Sequence, residues 1–172
     1  MLDQVRHAIR DVPDFPKPGI IFKDITPVLN DPALFRQVVE AMTARIRAAK
    51  ADKIAVIESR GFLFGAPVAA NLGLSLVPVR KKGKLPYKTV EQSYALEYGT
   101  ATLEIHEDAI RKGDRVVIVD DLLATGGTAE ATAALVEKLG GTVADILFLV
   151  ELAFLDGRKR LARYPIYAPI VY

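Results

Sequence analysis

Two adjacent carboxylates, Asp120 and Asp121, end a run of four aliphatic residues, Val116–Val119, and Ala124-Thr-Gly-Gly-Thr128 follows after Leu122 and Leu123. Paired carboxylates at the mouth of a buried strand can accept hydrogen bonds from sugar hydroxyls or neighbour a hard cation. The residues Ala124, Thr125, Gly126, Gly127 and Thr128 offer successive backbone N–H groups. Their glycines permit a tight turn, and a helix starting there adds favourable potential for a phosphate. Together the two halves select a phosphorylated polyol. A plainer reading, in which Asp121 caps a helix and the glycines only turn the chain, is outweighed by the length and order of the motif. No lysine follows the last glycine as a Walker loop requires, and the spaced-glycine dinucleotide fingerprint is absent.

Other segments hold candidate anion ligands. Glu58-Ser59-Arg60-Gly61 follows an apolar run and precedes a helical pattern, so its amides and Arg60 suit a second anionic group, although serine is also an ordinary helix cap. Arg80-Lys-Lys-Gly-Lys84 sets four cations around a glycine before Pro86. It reads either as a mobile loop closing over an anionic substrate or as a solvated surface. Glu97-Tyr98-Gly99 falls at a hairpin turn, where a glutamate is unremarkable. His7 and His106 lack partners at metal-ligand spacing.

These residues must be positioned by a scaffold. Lys53–Ile57, Leu76–Val79, Arg115–Val119 and Val143–Val150 read as strands. Helical patterns over 61–72 and 128–139 lie between them, and Tyr94–Ile105 alternates as a hairpin turning at Gly99. Such alternation implies an α/β fold with a mostly parallel central sheet flanked by helices, whose ligands sit beyond the carboxyl ends of the strands. Ahead of this lie a short helix over Leu2–Ile9 and a loop with three prolines at Val12–Gly19. A long helix follows, capped at Asn30-Asp31-Pro32 and running to about Lys50.

A chain of 172 residues, 51% hydrophobic and 26% charged, reads as one globular domain with a core of its own. The net charge of +2 gives no broad basis for binding nucleic acid or a membrane surface. With no cysteine, disulfides, thiolate metal sites and a cysteine nucleophile are excluded. No apolar run has the length of a signal sequence or a membrane span, so a cytoplasmic location is expected.

Val116–Thr128 resembles the phosphoribosyl-diphosphate signature of the type I phosphoribosyltransferases. Phe15–Thr26, Glu58–Gly65, Arg80–Pro86, Ser93–Gly99 and Val150–Leu152 are similar to segments of the adenine-using branch of that family. The resemblance covers nearly the whole chain. It implies a type I phosphoribosyltransferase fold with a small N-terminal hood over about residues 1–30. It also implies Mg2+-dependent transfer of the 5-phosphoribosyl group from 5-phosphoribosyl 1-diphosphate (PRPP) to adenine, giving AMP and diphosphate in purine salvage by a homodimer.

Carried over, Asp120 and Asp121 would contact the ribose hydroxyls, Ala124, Thr125, Gly126, Gly127 and Thr128 the 5-phosphate, and Ser59 and Arg60 the diphosphate. Phe22 and Leu152 would sandwich adenine, with main-chain groups at Ile21 and Lys23 reading its edge. Glu97 would handle the proton, Arg80, Lys84 and Tyr98 would belong to the loop, and Arg80 would reach a neighbouring subunit's site. Mg2+ would be held mainly by the substrate, without a direct protein ligand. The weighed alternatives are a 6-oxopurine substrate and a PRPP-sensing regulator, for whose DNA-binding module the chain has no spare length.

Overall fold

The computed structural model describes residues 2–96 and 99–172, which form two compact units, 1–41 and 42–172. The first unit opens with helix α1 (Asp3–Ala8), where the apolar spacing of Leu2, Val5 and Ile9 placed it. The proline-rich stretch, expected as a loop, is instead the tip of a hairpin. Strands β1 (Arg10–Pro13) and β2 (Ile21–Asp24) pair antiparallel with Asp11 opposite Lys23 and Val12 opposite Phe22. Pro16 and Pro18 lie in the turn, and Pro13 is the last residue of a strand in a two-stranded ladder, where a missing donor is tolerated.

The tip is closed by Gly19 N donating to Asp14 Oδ1 at 2.7 Å. The Phe15 and Phe22 rings meet edge to face, 5.2 Å apart. Lys23 Nζ lies 2.5 Å from Asp11 Oδ1 across the ladder. A short helix α2 (Thr26–Asn30), absent from the sequence reading, precedes α3 (Pro32–Ala49). The cap of α3 is Asp31, whose Oδ1 accepts from the amides of Ala33 and Leu34 at 2.8 and 3.1 Å.

In the second unit, β3 (Lys53–Ile57), α4 (Gly61–Leu72) and β4 (Ser75–Lys81) form the expected crossover. Strands β5 (Thr89–Ala95) and β6 (Thr100–His106) form the hairpin, its ladder beginning five residues earlier than the alternation suggested, at Thr89 rather than Tyr94. The pattern continues with β7 (Arg115–Val119), β8 (Leu122–Leu123), α5 (Gly127–Lys138), β9 (Thr142–Leu147) and β10 (Val150–Glu151). A 3-10 turn at Ala153–Leu155, α6 (Gly157–Arg160), β11 (Ile166–Tyr167) and β12 (Ile170–Val171) complete the chain.

Among the described residues the main sheet runs β11-β9-β7-β3-β4-β6-β5. Every pairing from β11 to β4 is parallel, and the β5–β6 hairpin closes one edge antiparallel. The central strands β3 and β7 are apolar on both faces and almost wholly buried, as a sheet covered on both sides requires. The single strand expected over Val143–Val150 divides at Leu147. Val150 and Glu151 move to a small parallel sheet, β12-β10-β8. No helix among the described residues is long and apolar enough to cross a membrane.

Candidate active site

The order of the main sheet reverses between β3 and β7. From β3 the chain crosses through α4 to β4 on one side, and from β7 it crosses through α5 to β9 on the other. Such a switch point leaves a crevice at the carboxyl ends of its two strands. The residues that follow them are Glu58-Ser59-Arg60 and Asp120-Asp121.

Their approach is enforced by Gly61, the first residue of α4. A Cβ there would lie 2.6 Å from the Val119 carbonyl oxygen and 3.2 Å from Asp120 Cα, so only glycine lets the helix start against the end of β7. Arg60 is thereby placed with Nε 2.7 Å from Asp121 Oδ2. Asp121 is buried, and Asp120 Oδ1 accepts from the Asp121 amide at 2.9 Å. Burial, followed by the charge of Asp121, pushes the Asp120 carboxyl well above the usual carboxylate range, with Arg60 only partly opposing the rise. Burial raises Asp121 too, against the Arg60 charge.

These groups line a cavity of about 520 Å³ together with Glu58, Ser59, Lys81, Tyr94, Leu122 and Thr128. A smaller hollow of about 70 Å³ lies against Ala124, Thr125, Gly126, Gly127 and Thr128, and Asp120, Leu122 and Thr128 border both spaces. The 124–128 loop thus opens beside the carboxylates. Among the described residues no cluster of three or more His, Asp or Glu could hold a metal. An open groove of about 860 Å³ in the first unit, along Arg10 and Thr26–Pro32, contains none of the expected site residues.

The basic segment departs from the picture of a free loop. Arg80 and Lys81 complete β4 and Thr89–Gln92 belong to β5, leaving only residues 82–88 as the connection. Arg80 is engaged within its own chain: Nε and Nη2 lie 3.1 and 3.3 Å from the two Glu58 oxygens, and Nη1 donates to the Lys84 carbonyl at 3.2 Å. Burial pulls the Glu58 carboxyl up, but Arg80 and the Lys81 amide outweigh it and hold it low. Lys81 lines the cavity, whereas Arg80 and Lys84 do not.

The connection is clasped by Glu104, buried on β6, whose Oε1 accepts from the amides of Lys84 and Leu85 at 2.8 and 2.7 Å. Burial raises the Glu104 carboxyl, and these amides reverse the effect and leave it below its ordinary 4.5. Its stabilisation is therefore present above that value and lost as pH falls through the lowered one. Glu104→Gln is expected to lower stability by about 2 kcal/mol at neutral pH. In thermal melts the deficit should shrink as pH is taken below 4.5.

One more residue, Tyr94, escaped the sequence reading. Thr128 Oγ1 donates to Tyr94 Oη at 3.2 Å, and the Tyr94 ring faces Gly127, where a Cβ would come within 3.2 Å of it. Alternation identifies Tyr94 as a strand residue but not its contact with a loop 34 residues away. Leu152 is half-buried, and its amide donates to the Leu123 carbonyl at 2.9 Å. Ile21, Phe22 and Lys23 lie on β2 of the first unit. Glu97 and Tyr98 lie outside the described residues.

With this geometry in hand, comparison with known proteins is specific. The phosphoribosyl transferase domain matches residues 25–168. The adenine phosphoribosyltransferase of Caldanaerobacter subterraneus is 58% identical over 171 residues, covering 99% of each chain. The crystal structure of the adenine phosphoribosyltransferase of Thermoanaerobacter pseudethanolicus superposes with a TM-score of 0.97 at 57% identity, covering all of both chains. That of Saccharomyces cerevisiae, complexed with an imino-altritol bisphosphate and adenine, gives a TM-score of 0.93 at 41% identity over 97% of each chain.

Proposed function

The chain belongs to the phosphoribosyl transferase family, and from that premise we propose that it transfers the 5-phosphoribosyl group of PRPP to adenine, forming AMP and releasing diphosphate. The observation that carries this reading is the convergence of Arg60, Asp120–Asp121 and the glycine loop on one crevice, in a chain 58% identical to an adenine phosphoribosyltransferase.

In the mechanism, the amides of Ala124, Thr125, Gly126, Gly127 and Thr128 hold the 5-phosphate, and Asp120 and Asp121 accept from the ribose hydroxyls. Ser59 and Arg60 bind the diphosphate, with Arg60 already oriented by Asp121. Lys81 adds a positive charge to the wall of the same cavity. As the bond from the anomeric carbon to diphosphate breaks, negative charge grows on the leaving group, where Arg60 and Lys81 stabilise it.

Adenine contacts are assigned to Ile21, Phe22, Lys23 and Leu152 on the resemblance. Lys23 is engaged with Asp11, which fits recognition through its main chain rather than its ammonium. Glu97 is the acceptor for the proton that the attacking purine nitrogen sheds. Two carboxylates, one tied to Arg60, are too few donors to hold a cation alone, so Mg2+ would be held mainly by the diphosphate of the substrate. Held there, it would supply charge neutralisation to the leaving group.

We place the enzyme in the cytoplasm as a homodimer. AMP formation with adenine, measured beside guanine, hypoxanthine and xanthine with Mg2+ and PRPP, tests the substrate. Turnover of a 6-oxopurine without turnover of adenine would overturn the assignment. Glu97→Gln is expected to lower kcat by about two orders of magnitude. An unchanged kcat would remove Glu97 from the proton path.

A further inference from the structure

The segment after β10 leaves the small sheet beside the glycine loop, and its course is fixed at both ends. Val150 and Glu151 run parallel to Leu122 and Leu123, so Ala124 and Leu152 emerge from neighbouring strand ends. The chain then turns through Ala153–Leu155, with the Leu155 and Asp156 amides donating to the Leu152 and Ala153 carbonyls, both at 3.1 Å. It returns to the glycine loop at Gly157. The Gly157 backbone sits on the Ala124 carbonyl, where any Cβ would overlap that oxygen. Its own carbonyl oxygen is 2.9 Å from the position of a Cβ on Gly126.

At the base of this excursion Arg158 reaches back to Glu151. Its Nε lies 2.8 Å from both carboxylate oxygens, and its Nη2 lies 2.8 Å from Oε2. Glu151 is only 5% exposed. Short charge-assisted contacts to a buried carboxylate fix geometry in a way that a solvated pair does not, and removal of one partner leaves the other buried and unpaired. Neither residue lines the two hollows of the site. The pair therefore acts through the residues it closes over.

We propose that Glu151 and Arg158 are positioning residues for substrate binding. By closing the 152–157 segment they hold Leu152 and the 124–128 loop in one relative geometry, and so set the affinities for adenine and for the phosphoribosyl donor together. This rests on the roles assigned above to Leu152 and the glycine loop.

Arg158→Gln is expected to raise KM for adenine and for PRPP each by about fivefold, with kcat within about twofold of the parent. Arg158→Lys, which keeps the charge without the planar fork, should recover part of the loss. Titration calorimetry with ribose 5-phosphate reads the glycine loop without turnover, and its Kd should weaken by about the same fivefold factor. Glu151→Gln, of the same shape, should shift the constants in the same direction and serves if Arg158→Gln does not fold.

A variant with a lowered Tm but unchanged KM values and ribose 5-phosphate Kd would show a purely structural pair and overturn the proposal. A weakened ribose 5-phosphate Kd with an unchanged adenine KM would overturn the coupling between the two sides. Failure of the parent protein to form AMP would instead overturn the adenine assignment. Ribose 5-phosphate titration would then still decide whether the pair positions the loop.

Discussion

Asp120→Asn is expected to make the protein more stable and nearly inactive at once. The Asp120 carboxyl is raised well above its ordinary 3.8, chiefly by burial and then by the neighbouring Asp121 charge. Keeping it ionised in the folded protein without its ligand therefore costs stability. An amide of the same shape removes that charge, a gain on the order of 1 kcal/mol, or about 2–4 °C in Tm for a chain of this size. On the proposed role of Asp120 it also replaces a charged acceptor for a ribose hydroxyl by a weaker, neutral one. For that reason kcat/KM for PRPP should fall by about two orders of magnitude.

The pH dependence separates this cause from generic stabilisation. A group whose folded-state pKa is raised destabilises when ionised, and the cost vanishes once it is protonated in both states. The Tm advantage of Asp120→Asn should therefore be present at neutral pH and shrink as pH approaches 3.8. An advantage that persisted there would mean that the raised carboxyl is not its source. Arg60 sharpens the contrast, because it lies against Asp121 and only partly relieves Asp120. On the proposed role, the uncompensated charge of Asp120 is relieved only when the substrate's hydroxyl groups arrive.

Much of this site was legible because its parts are local. Val116–Val119 reads as a buried strand from four consecutive aliphatic residues, and the loop that follows carries its own turn chemistry. Gly61–Leu72 reads as a helix from its length between two apolar runs. What escaped depends on neighbours distant in sequence. The Glu104 clasp joins residues 19 and 20 positions apart, and nothing in an alternating strand marks one inward glutamate as an acceptor for amides. Two-residue strands such as β8, β10 and β12 are too short to show a period, so the small sheet that brings Leu152 beside Leu123 has no signature of its own. Arg80 was legible as a cation but not as the partner of Glu58, since that pairing depends on β3 and β4 lying side by side.

Gly126→Ala should disable the phosphate loop, and Gly83→Ala shows why the reason is not backbone conformation alone. The two glycines have nearly the same φ, +83° and +84°, a region that costs an L-residue about 1–2 kcal/mol. A Cβ on Gly83 meets nothing within 4 Å, so that variant should lose stability by this strain and keep its kinetic constants. On Gly126 the same carbon would sit 2.9 Å from the Gly157 carbonyl oxygen and 3.5 Å from Gly157 C and Cα. These are backbone atoms, which cannot rotate out of the way. Either the 124–128 loop or the 157 turn must move, and on the proposed role of the loop this displaces the amides that would hold the phosphate. KM for PRPP should therefore rise by about tenfold or more in Gly126→Ala, because displacement by even a fraction of an ångström misaligns several hydrogen bonds at once. Equal kinetic losses in the two variants would show that strain, not the contact with Gly157, governs the loop.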